Sequence, residues 1–484
     1  MVFSSLLFLL LFLAVVMITY MAVKTLRAKN IVLLVGSLIF YAWSGPLYLL
    51  LLCGMVAVCW FGALLIRYYK SNERLKRLSA AATVFACLLL LGIFKYAVFF
   101  METWQAIFGV PAVIPNIVLP IGISFYTFQL ISYVIDVYRG EVAPQKKYHL
   151  LLLYASRFHQ CIAGPIVRYQ TVAYEIEHRQ AVPGGVSRGI TRFTIGLAKK
   201  ALLANYCGSV ADVLFPTAPD AMAQIPALGV WLGAIYYMLQ IYLDFSAYSD
   251  MAIGMGLMVG FHYEENFNYP YMATSVTDFW RRWHISLSTF FRDYVYIPLG
   301  GNRCSRARHV FNLLLVWFLT GLWHGASWNY VLWGLYFFLF LVAEKYLLRL
   351  GAPTTNGRYI GRRAYLLLIV LFGWFLFRFE DMTALGYALR GLFLGNGSGF
   401  IGRIWNVTVK TQLLGNLWFL PIALLACTPI VPLLHRKLCD AAQKHRAWHV
   451  VRSVLLVVLP PVLLCLSVLS LVGDSYNPFL YFQF

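Results

Sequence analysis

One histidine interrupts a long apolar stretch in the second half of the sequence. His324 lies in the segment LTGLWHGASW, residues 319–328, which otherwise has the composition of a membrane helix. An ionisable group at membrane depth is costly, so it marks a functional site by default. A neutral imidazole near pH 7 can take a proton from an attacking hydroxyl, which makes His324 a candidate general base. The structural alternative is a buried histidine that hydrogen-bonds a backbone carbonyl.

A second histidine lies upstream in a basic and aromatic segment. His284 ends the run DFWRRWH, residues 278–284. Arginine binds phosphate through two parallel N–H groups, so Arg281, Arg282 and Arg292 could hold a phosphate-bearing substrate while His284 positions its reacting group. The alternative is an interfacial belt, because Trp and Arg favour the headgroup level of a membrane. The spacing leaves both interpretations open.

Carboxylates near these segments are predicted to be structural partners of arginines. Asp278 is spaced to form a helical ion pair with Arg282. Asp244 and Asp250 lie in the apolar segment YLDFSAYSD, residues 242–250. Their spacing points them in different directions on a helix, so they are not expected to work as a paired acid and base.

Residues 117–137 contain more polar groups than a lipid-facing helix tolerates. Ser124 and Gln129 are among them, and we expect them to line the interior of the protein. Pro120 and Gly122 predict a broken or kinked helix in this segment.

The composition places these segments in a polytopic helical membrane protein. Of 484 residues, 61% are hydrophobic and 12% are charged, whereas a soluble domain has about 25% charged residues. Apolar runs of about 20 residues without alternation predict helices. We predict one integral membrane domain over residues 1–484, with roughly 11–13 membrane helices that include re-entrant and interfacial segments. Its core covers about residues 117–350, and peripheral helices lie within 1–101 and 364–472.

The charge pattern predicts an orientation in the membrane. The net charge is +20, which the excess of Lys and Arg in cytosolic loops explains without a nucleic-acid partner. Basic loops such as Lys24–Lys29, Arg67–Arg77 and His435–Arg452 should be cytosolic, with both termini outside. The nine cysteines include no C-x-x-C pair, so we expect no disulfide framework, no metal site and no bound cofactor.

Several segments together resemble the membrane-bound O-acyltransferases, and most closely the branch that O-acetylates alginate and related bacterial cell-surface polysaccharides. The matching segments are LPIGISFYTF (119–128), IAGPIVR (162–168), DFSAYSDMAIG (244–254), residues 278–302, GLWHGA (321–326) and the terminal NPF (477–479). One departure is clear. The family usually has Phe-Pro-Gln or Phe-Pro-His before IAGP, whereas this chain has Phe158-His159-Gln160-Cys161.

The resemblance implies a ring of tilted helices around a narrow tunnel that joins the cytosol to the exterior of a bacterial inner membrane. His324 matches the near-invariant family histidine in that tunnel, and His284 matches a second one at its cytosolic side. The donor would be acetyl-CoA or another acyl thioester. The acceptor would be an extracytoplasmic polysaccharide or an exported serine-hydrolase-like transferase.

The candidate site follows from these segments. Gly321 and Gly325 are expected to leave room beside His324 for a group as wide as pantetheine. Two alternatives remain open, namely D-alanyl-type transfer from a carrier protein and a transporter or flippase that moves donor or glycan intact. The predicted catalytic residues are His324 and His284, and the predicted substrate-binding residues are Arg281, Arg282, Trp283, Ser288, Arg292, Asn302, Trp323, Asp244 and Gln129.

Overall fold

The computed structural model describes residues 2–478 except 112–113, 115–116, 162–163, 181–182, 349, 351–355, 398, 474–475 and 477. Among the described residues every regular element is a helix, and no strand occurs. The predicted segments Ile162-Ala163 and Asn477, and the C-terminal residue Phe484, lie outside the described residues. The first nine helices are α1 (Leu7–Ala22), α2 (Leu26–Ala42), α3 (Pro46–Tyr68), α4 (Glu73–Phe108), α5 (Ile123–Arg139), α6 (Tyr148–Ser156), α7 (Tyr169–His178), α8 (Gly185–Ala198) and α9 (Asn205–Leu214).

The second half of the chain begins with a short helix and continues with a helix of 32 residues. Its helices are α10 (Pro219–Met222), α11 (Ala227–Met258), α12 (Val276–Arg282), α13 (Ile285–Phe291), α14 (Arg306–His324), α15 (Trp328–Leu348), α16 (Asn356–Arg378), α17 (Met382–Leu394), α18 (Gly399–Ile404), α19 (Val407–Gly415), α20 (Phe419–Ala426), α21 (Ile430–Lys444) and α22 (Arg446–Gly473). Side-chain caps explain several helix starts. Thr25 accepts the Ala28 N–H at 3.2 Å, and Ser275 accepts the Asp278 N–H at 3.0 Å, as capping residues do.

The described residues form two compact units. The first comprises the chain up to Phe193 together with Tyr248–Glu265 and Thr289–Pro298. The second comprises Thr194–Ala247, Asn266–Ser288 and the chain from Leu299 onward.

Among the described residues, six helices are long and apolar enough to cross a membrane, and a bent pair could form a seventh span. The six are α3, α4, α11, α15, α16 and α22. Most of α11 is buried inside the protein, whereas α22 exposes nearly all of its apolar side chains, which suits contact with lipid. The prediction of an all-α polytopic membrane protein is confirmed. The predicted 11–13 crossings, the ring with its tunnel and the domain boundaries stay predictions.

One local expectation holds in part and two were wrong. The segment 117–137 was predicted to contain a broken or kinked helix, and its helix α5 begins only after Pro120 and Gly122, where Gly122 adopts a φ of 76° that L residues avoid. The apolar run over residues 413–434 predicts one continuous span, but it is broken into α19, α20 and α21, and α19 and α20 are bent by 63°. The basic stretch 262–308 predicts a long cytosolic loop, but it contains α12 and α13.

Candidate active site

The corner between α12 and α13 places His284 in the second unit. His284 has a φ of 46°, a conformation uncommon for a non-glycine residue. Asn266 holds this corner. Its carbonyl accepts the Ile285 N–H at 3.0 Å, and its side-chain oxygen accepts the Ser286 N–H at 3.1 Å and the Ser286 hydroxyl at 2.9 Å. The same side-chain oxygen lies 3.4 Å from Nδ1 of His284. The unusual backbone is thus fixed by buried hydrogen bonds.

A buried glutamate anchors the first turn of α12. Oε1 of Glu344 accepts the Val276 N–H at 2.6 Å, and its Oε2 accepts the N–H and the hydroxyl of Thr277, both at 3.0 Å. These N–H groups have no partner within a helix because they lie in its first turn. A carboxylate is also favoured at a helix N-terminus by the helix dipole. Glu344 therefore ties the start of α12 to the end of α15.

The surroundings of His284 keep its imidazole uncharged. The side chain is 1% exposed, and its ring packs edge-on against Phe245 at a centroid distance of 4.7 Å. Burial lowers the pKa of His284 to about 3, because an apolar surrounding disfavours the charged form. A neutral imidazole can accept or donate a hydrogen bond at physiological pH.

His324 is the last residue of α14, and a tight helical hairpin positions it. A Cβ at Gly321 would lie 2.4 Å from the backbone oxygen of Tyr330, and one at Gly334 would lie 2.3 Å from the backbone oxygen of Trp317. The two glycines therefore let α14 and α15 approach backbone to backbone. A Cβ at Gly325 would lie 2.1 Å from the Tyr330 ring. The expectation that Gly321 and Gly325 leave room for a ligand was wrong, because Tyr330 fills that space.

Trp323 connects the two histidines. Its ring centroid lies 5.7 Å from that of His284 and 5.1 Å from that of His324. His324 also contacts Trp333 at 4.8 Å and Phe377 at 5.4 Å, and it is 6% exposed. The structure therefore places the two predicted catalytic histidines against one indole, inside an aromatic enclosure.

Tryptophans form most of this enclosure. Trp283, predicted to bind substrate, is 2% exposed and packs against Trp374 at 5.0 Å. Trp280 contacts Trp317 at 4.7 Å and Trp333 at 5.4 Å. Edge-to-face aromatic pairs of this kind add about 0.5–1.5 kcal/mol beyond area burial. The aromatic residues here thus form a packed framework, and Trp283 belongs to it.

The two aspartates do not meet. In the second unit, Asp244 pairs with Lys200 at 2.8 Å, and both side chains are nearly fully buried. In the first unit, Asp250 pairs with Arg192 at 2.6 Å. Asp250 thus has the arginine partner that was expected, whereas the expectation was wrong for Asp244, which pairs with a lysine. Removing one partner of the buried Asp244–Lys200 pair would leave an uncompensated charge, so these two residues matter for folding.

The predicted polar substrate-binding residues of the second unit differ in how exposed they are. Arg281 is exposed, whereas Arg282 pairs with Asp278 at 2.9 Å as the spacing predicts. The hydroxyl of Ser288 donates to the carbonyl of Trp280 at 3.2 Å. Asn302 is exposed in the turn before α14. Arg281 and Asn302 are therefore accessible to a solute in this unit.

Two predicted residues belong to the first unit. Arg292 is exposed and donates to the adjacent Asp293 at 2.6 Å, and Arg168 also pairs with Asp293. Gln129 is fully buried, and neither polar atom of its side-chain amide has a hydrogen-bond partner among the described residues. Gln129 thus faces the protein interior, as its sequence context predicts.

Sequence reasoning missed the residues that position the site. The sequence around Asn266 predicts only a turn, and Glu344 begins a stretch whose charge predicts a cytosolic loop. Neither residue stands out by type, because their partners are backbone N–H groups distant in the chain.

Comparisons with known proteins identify relatives of this chain. The family model of the membrane-bound O-acyltransferases matches residues 37–379, a range that holds both histidines. The chain is 42% identical over 390 residues to the "Probable alginate O-acetylase AlgI" of Pseudomonas aeruginosa, covering 79% of this chain and 73% of that protein. It is 37% identical over 513 residues to the protein of the same name in Pseudomonas putida, covering 100% of each. It is 36% identical over 365 residues to the "Peptidoglycan O-acetyltransferase" of Helicobacter pylori, covering 69% of this chain and 68% of that protein.

Proposed function

Because the chain belongs to the membrane-bound O-acyltransferase family and is thus an O-acyltransferase that crosses a membrane several times, we propose that it serves the O-acetylation of an extracytoplasmic polysaccharide. The acetyl group comes from a cytosolic thioester, acetyl-CoA. It passes to the polysaccharide either directly or through an exported serine-hydrolase-like transferase. The protein lies in a bacterial inner membrane with both termini outside. The relatives named as polysaccharide and peptidoglycan O-acetylating proteins support this acceptor class.

The observation that carries the proposal is the pair of histidines against Trp323. His284 and His324 come from segments far apart in the chain, yet their rings contact the same indole. Two imidazoles in an aromatic enclosure supply hydrogen-bonding and base chemistry where water competes poorly. If both histidines were only structural, each ring would need only one partner, and nothing would require both rings to contact the same indole.

In the proposed reaction, His324 is the general base. The acceptor hydroxyl attacks the thioester carbonyl carbon as its proton passes to His324. The carbon–sulfur bond then breaks, and the leaving thiolate takes up a proton to give free CoA. His284, neutral at physiological pH, positions the thioester by a hydrogen bond. A positioned base of this kind contributes about 10²–10⁴-fold to the rate.

The remaining predicted residues act in binding. In the second unit, exposed Arg281 supplies positive charge for the phosphates of the donor, and Asn302 adds a polar contact near the start of α14. Trp323 and Trp283 form walls of the enclosure. Ser288 is half-buried, and Asp244 acts from a buried position through its ion pair with Lys200. In the first unit, the predicted binding residues are the exposed Arg292 and the buried Gln129.

The test uses purified protein, radiolabelled acetyl-CoA and a polysaccharide or transferase acceptor. Wild type should release free CoA in step with acceptor acetylation. His324→Ala and His324→Gln should both lose acetyl transfer by about 10²-fold or more, because neither side chain is a base. Donor binding and a monodisperse elution profile should remain, which separates lost chemistry from lost folding.

A matched control is His309→Gln, on the same helix α14 but not in contact with Trp323 in the described structure. It should retain transfer. Near-normal transfer by His324→Gln would show that the imidazole only positions groups. Movement of intact donor or glycan without release of CoA would instead favour a transporter.

A further inference from the structure

Arg157 in the first unit is a buried cation that the proposed reaction does not use. It directly follows α6, and its side chain is fully buried at 0% exposure. None of its three side-chain nitrogens has a hydrogen-bond partner among the described residues. A buried charge is tolerated only when it is paired and hydrogen-bonded, so this guanidinium requires a further partner.

Aromatic rings enclose the guanidinium of Arg157. Its Cζ lies 4.7 Å from the ring centroid of Phe261, 5.4 Å from that of Tyr263 and 5.5 Å from that of Tyr154. Cation–π contacts of this kind stabilise the planar group through its faces. They do not satisfy its N–H groups, which point outward in the plane of the guanidinium. The N–H groups at the edge of the Arg157 guanidinium thus still need a hydrogen-bond acceptor.

Neighbouring polar groups also lack partners. Among the described residues, the Ser156 hydroxyl, Nε2 of His159 and Oε1 of Gln160 are buried without a hydrogen-bond partner. The first two of these groups can donate a hydrogen bond, whereas the Gln160 oxygen can only accept one. Nδ1 of His159 lies 3.0 Å from the Tyr263 hydroxyl, which fixes the ring next to the wall of the Arg157 enclosure.

A second guanidinium lies in the same cluster. Arg179 has its Cζ 4.6 Å from the same Phe261 ring, and its Nη2 also lacks a partner among the described residues. Glu175 interacts with Arg157, but this carboxylate already accepts the backbone N–H of His262 at 3.1 Å and lies 2.6 Å from Nδ1 of the same residue. Glu175 is therefore engaged by His262 and does not hydrogen-bond the side chain of Arg157.

We propose that Arg157 binds a small monovalent anion, either a halide or a short carboxylate. Water could accept its hydrogen bonds but would leave the positive charge uncompensated, whereas an anion supplies both. A guanidinium edge suits two oxygens or one halide because its N–H groups are parallel. The ligand must be small, because the nearby packing is dense. A Cβ at Gly164 would lie 2.9 Å from the Cα of Gln160.

The test measures the unfolding temperature of the purified protein in sodium gluconate, with chloride, bromide or acetate substituted at constant ionic strength. Wild type should show a saturable rise of a few degrees with at least one small anion, about 2–4 °C near saturation, since a ligand that binds only the folded state stabilises it. The better of halide and acetate identifies the ligand class. Arg157→Met should lose this response.

The matched control is Arg188→Met. Arg188 is exposed on α8, and among the described residues its side chain donates to the carbonyls of Gly184 and Pro183 alone. This variant should keep the full response. An equal response in Arg157→Met, or no response in wild type, would overturn the proposal. Should Arg157→Met fail to fold, crystals of wild type grown in bromide and in acetate decide the question, because either an anomalous bromide peak or the density of a bound acetate beside Arg157 is required.

Discussion

His284 adopts a backbone conformation that its own side chain does not favour, so its neighbours must hold it there. The φ of 46° falls in the left-handed region, which costs a bulky residue about 1–3 kcal/mol. Asn266 compensates through hydrogen bonds to Ile285 and Ser286. Strain that persists under such restraint is typical of functional sites. The conformation directs the imidazole toward Trp323, which is why we assign His284 a positioning role.

At the residue scale, the first prediction concerns pH. The pKa of His284 is about 3 when the protein is folded and about 6.5 when it is unfolded. Stability from this residue is therefore fully present above about pH 6.5 and is lost as the pH falls toward 3. Between pH 7.5 and 5 the loss amounts to about 2 kcal/mol. Chemical unfolding of wild type and of His284→Gln should show a smaller acid-side loss in the variant.

The matched control for the pH prediction is His445→Gln, which removes an exposed histidine between α21 and α22. It should leave the acid-side loss as in wild type. An identical pH dependence in wild type and in His284→Gln would mean that His284 is accessible to protons in the folded protein.

A second prediction at this scale concerns donor binding. The double variant Arg281→Ala/Arg282→Ala should weaken binding of acetyl-CoA, because each lost charge-assisted hydrogen bond is worth about 1.5–3 kcal/mol. Arg281 should account for most of the loss, since Arg282 is already paired with Asp278. Raised salt should reproduce part of the effect in wild type. Isothermal titration with acetyl-CoA measures the change.

Exposed Arg303 supplies the control for donor binding, as Arg303→Ala removes one positive charge from the same unit. Its donor affinity should stay close to that of wild type. Unchanged donor affinity in the folded double variant would mean that Arg281 and Arg282 belong to an interfacial belt and do not bind the donor.

The two histidines of the candidate site could be singled out from the sequence, whereas the residues that hold them in place could not. His324 and His284 are conspicuous because ionisable side chains are rare in such surroundings. The ion pair of Asp278 with Arg282 follows from helical spacing alone. Asn266 and Glu344 act on backbone N–H groups of distant segments, and no local pattern encodes such a contact.

The hairpin of α14 and α15 shows how an element fixes the site. Gly321 and Gly334 each face a backbone oxygen of the opposite helix, so the helices pack at the closest distance that the chain allows. Small residues serve this purpose in membrane helices generally. His324 ends α14 one turn beyond Gly321, and its position thus depends on this packing.

The prediction at the element scale is that Gly321→Ala damages the site. The new Cβ would lie 2.4 Å from the Tyr330 oxygen, so the helices must separate. Overpacking of this kind costs about 1–3 kcal/mol. The unfolding temperature should fall, and acetyl transfer should fall further because His324 shifts. The control is Gly386→Ala on α17, where a Cβ meets nothing within 4 Å, and alanine should stabilise this helix by up to about 1 kcal/mol.

Equal stability of the two glycine variants would show that α14 and α15 tolerate a wider spacing.

The helices themselves were predictable where an apolar run was long, as for α3 and α22. They were not predictable around residues 413–434, where a continuous apolar run is broken into α20 and α21. A run of apolar residues specifies contact with lipid or core, but not whether the chain bends within it.

At the scale of the whole molecule, the proposed reaction requires that the protein span the membrane so that a cytosolic donor can reach the site. Six described helices are long and apolar enough to cross, which confirms the class predicted from composition. Apolar runs do not specify which helices become neighbours, so the arrangement of the helices could not be predicted from them. The orientation stays a prediction from charge, since Lys and Arg are retained on the cytosolic side.

The prediction at this scale concerns that orientation. The turn between α3 and α4 is flanked by Arg67, Lys70 and Arg74, so it should be cytosolic, whereas the C-terminus after Phe484 should be outside. Alkaline phosphatase fused after Phe484 should be active in a bacterial host. Green fluorescent protein fused at the same position and exported by the general secretory route should not fluoresce. The same reporters fused after Lys70 provide the control and should give the opposite pattern. Fluorescence of the Phe484 fusion would place the C-terminus in the cytosol, and the positions of the basic loops would then have to be reassigned.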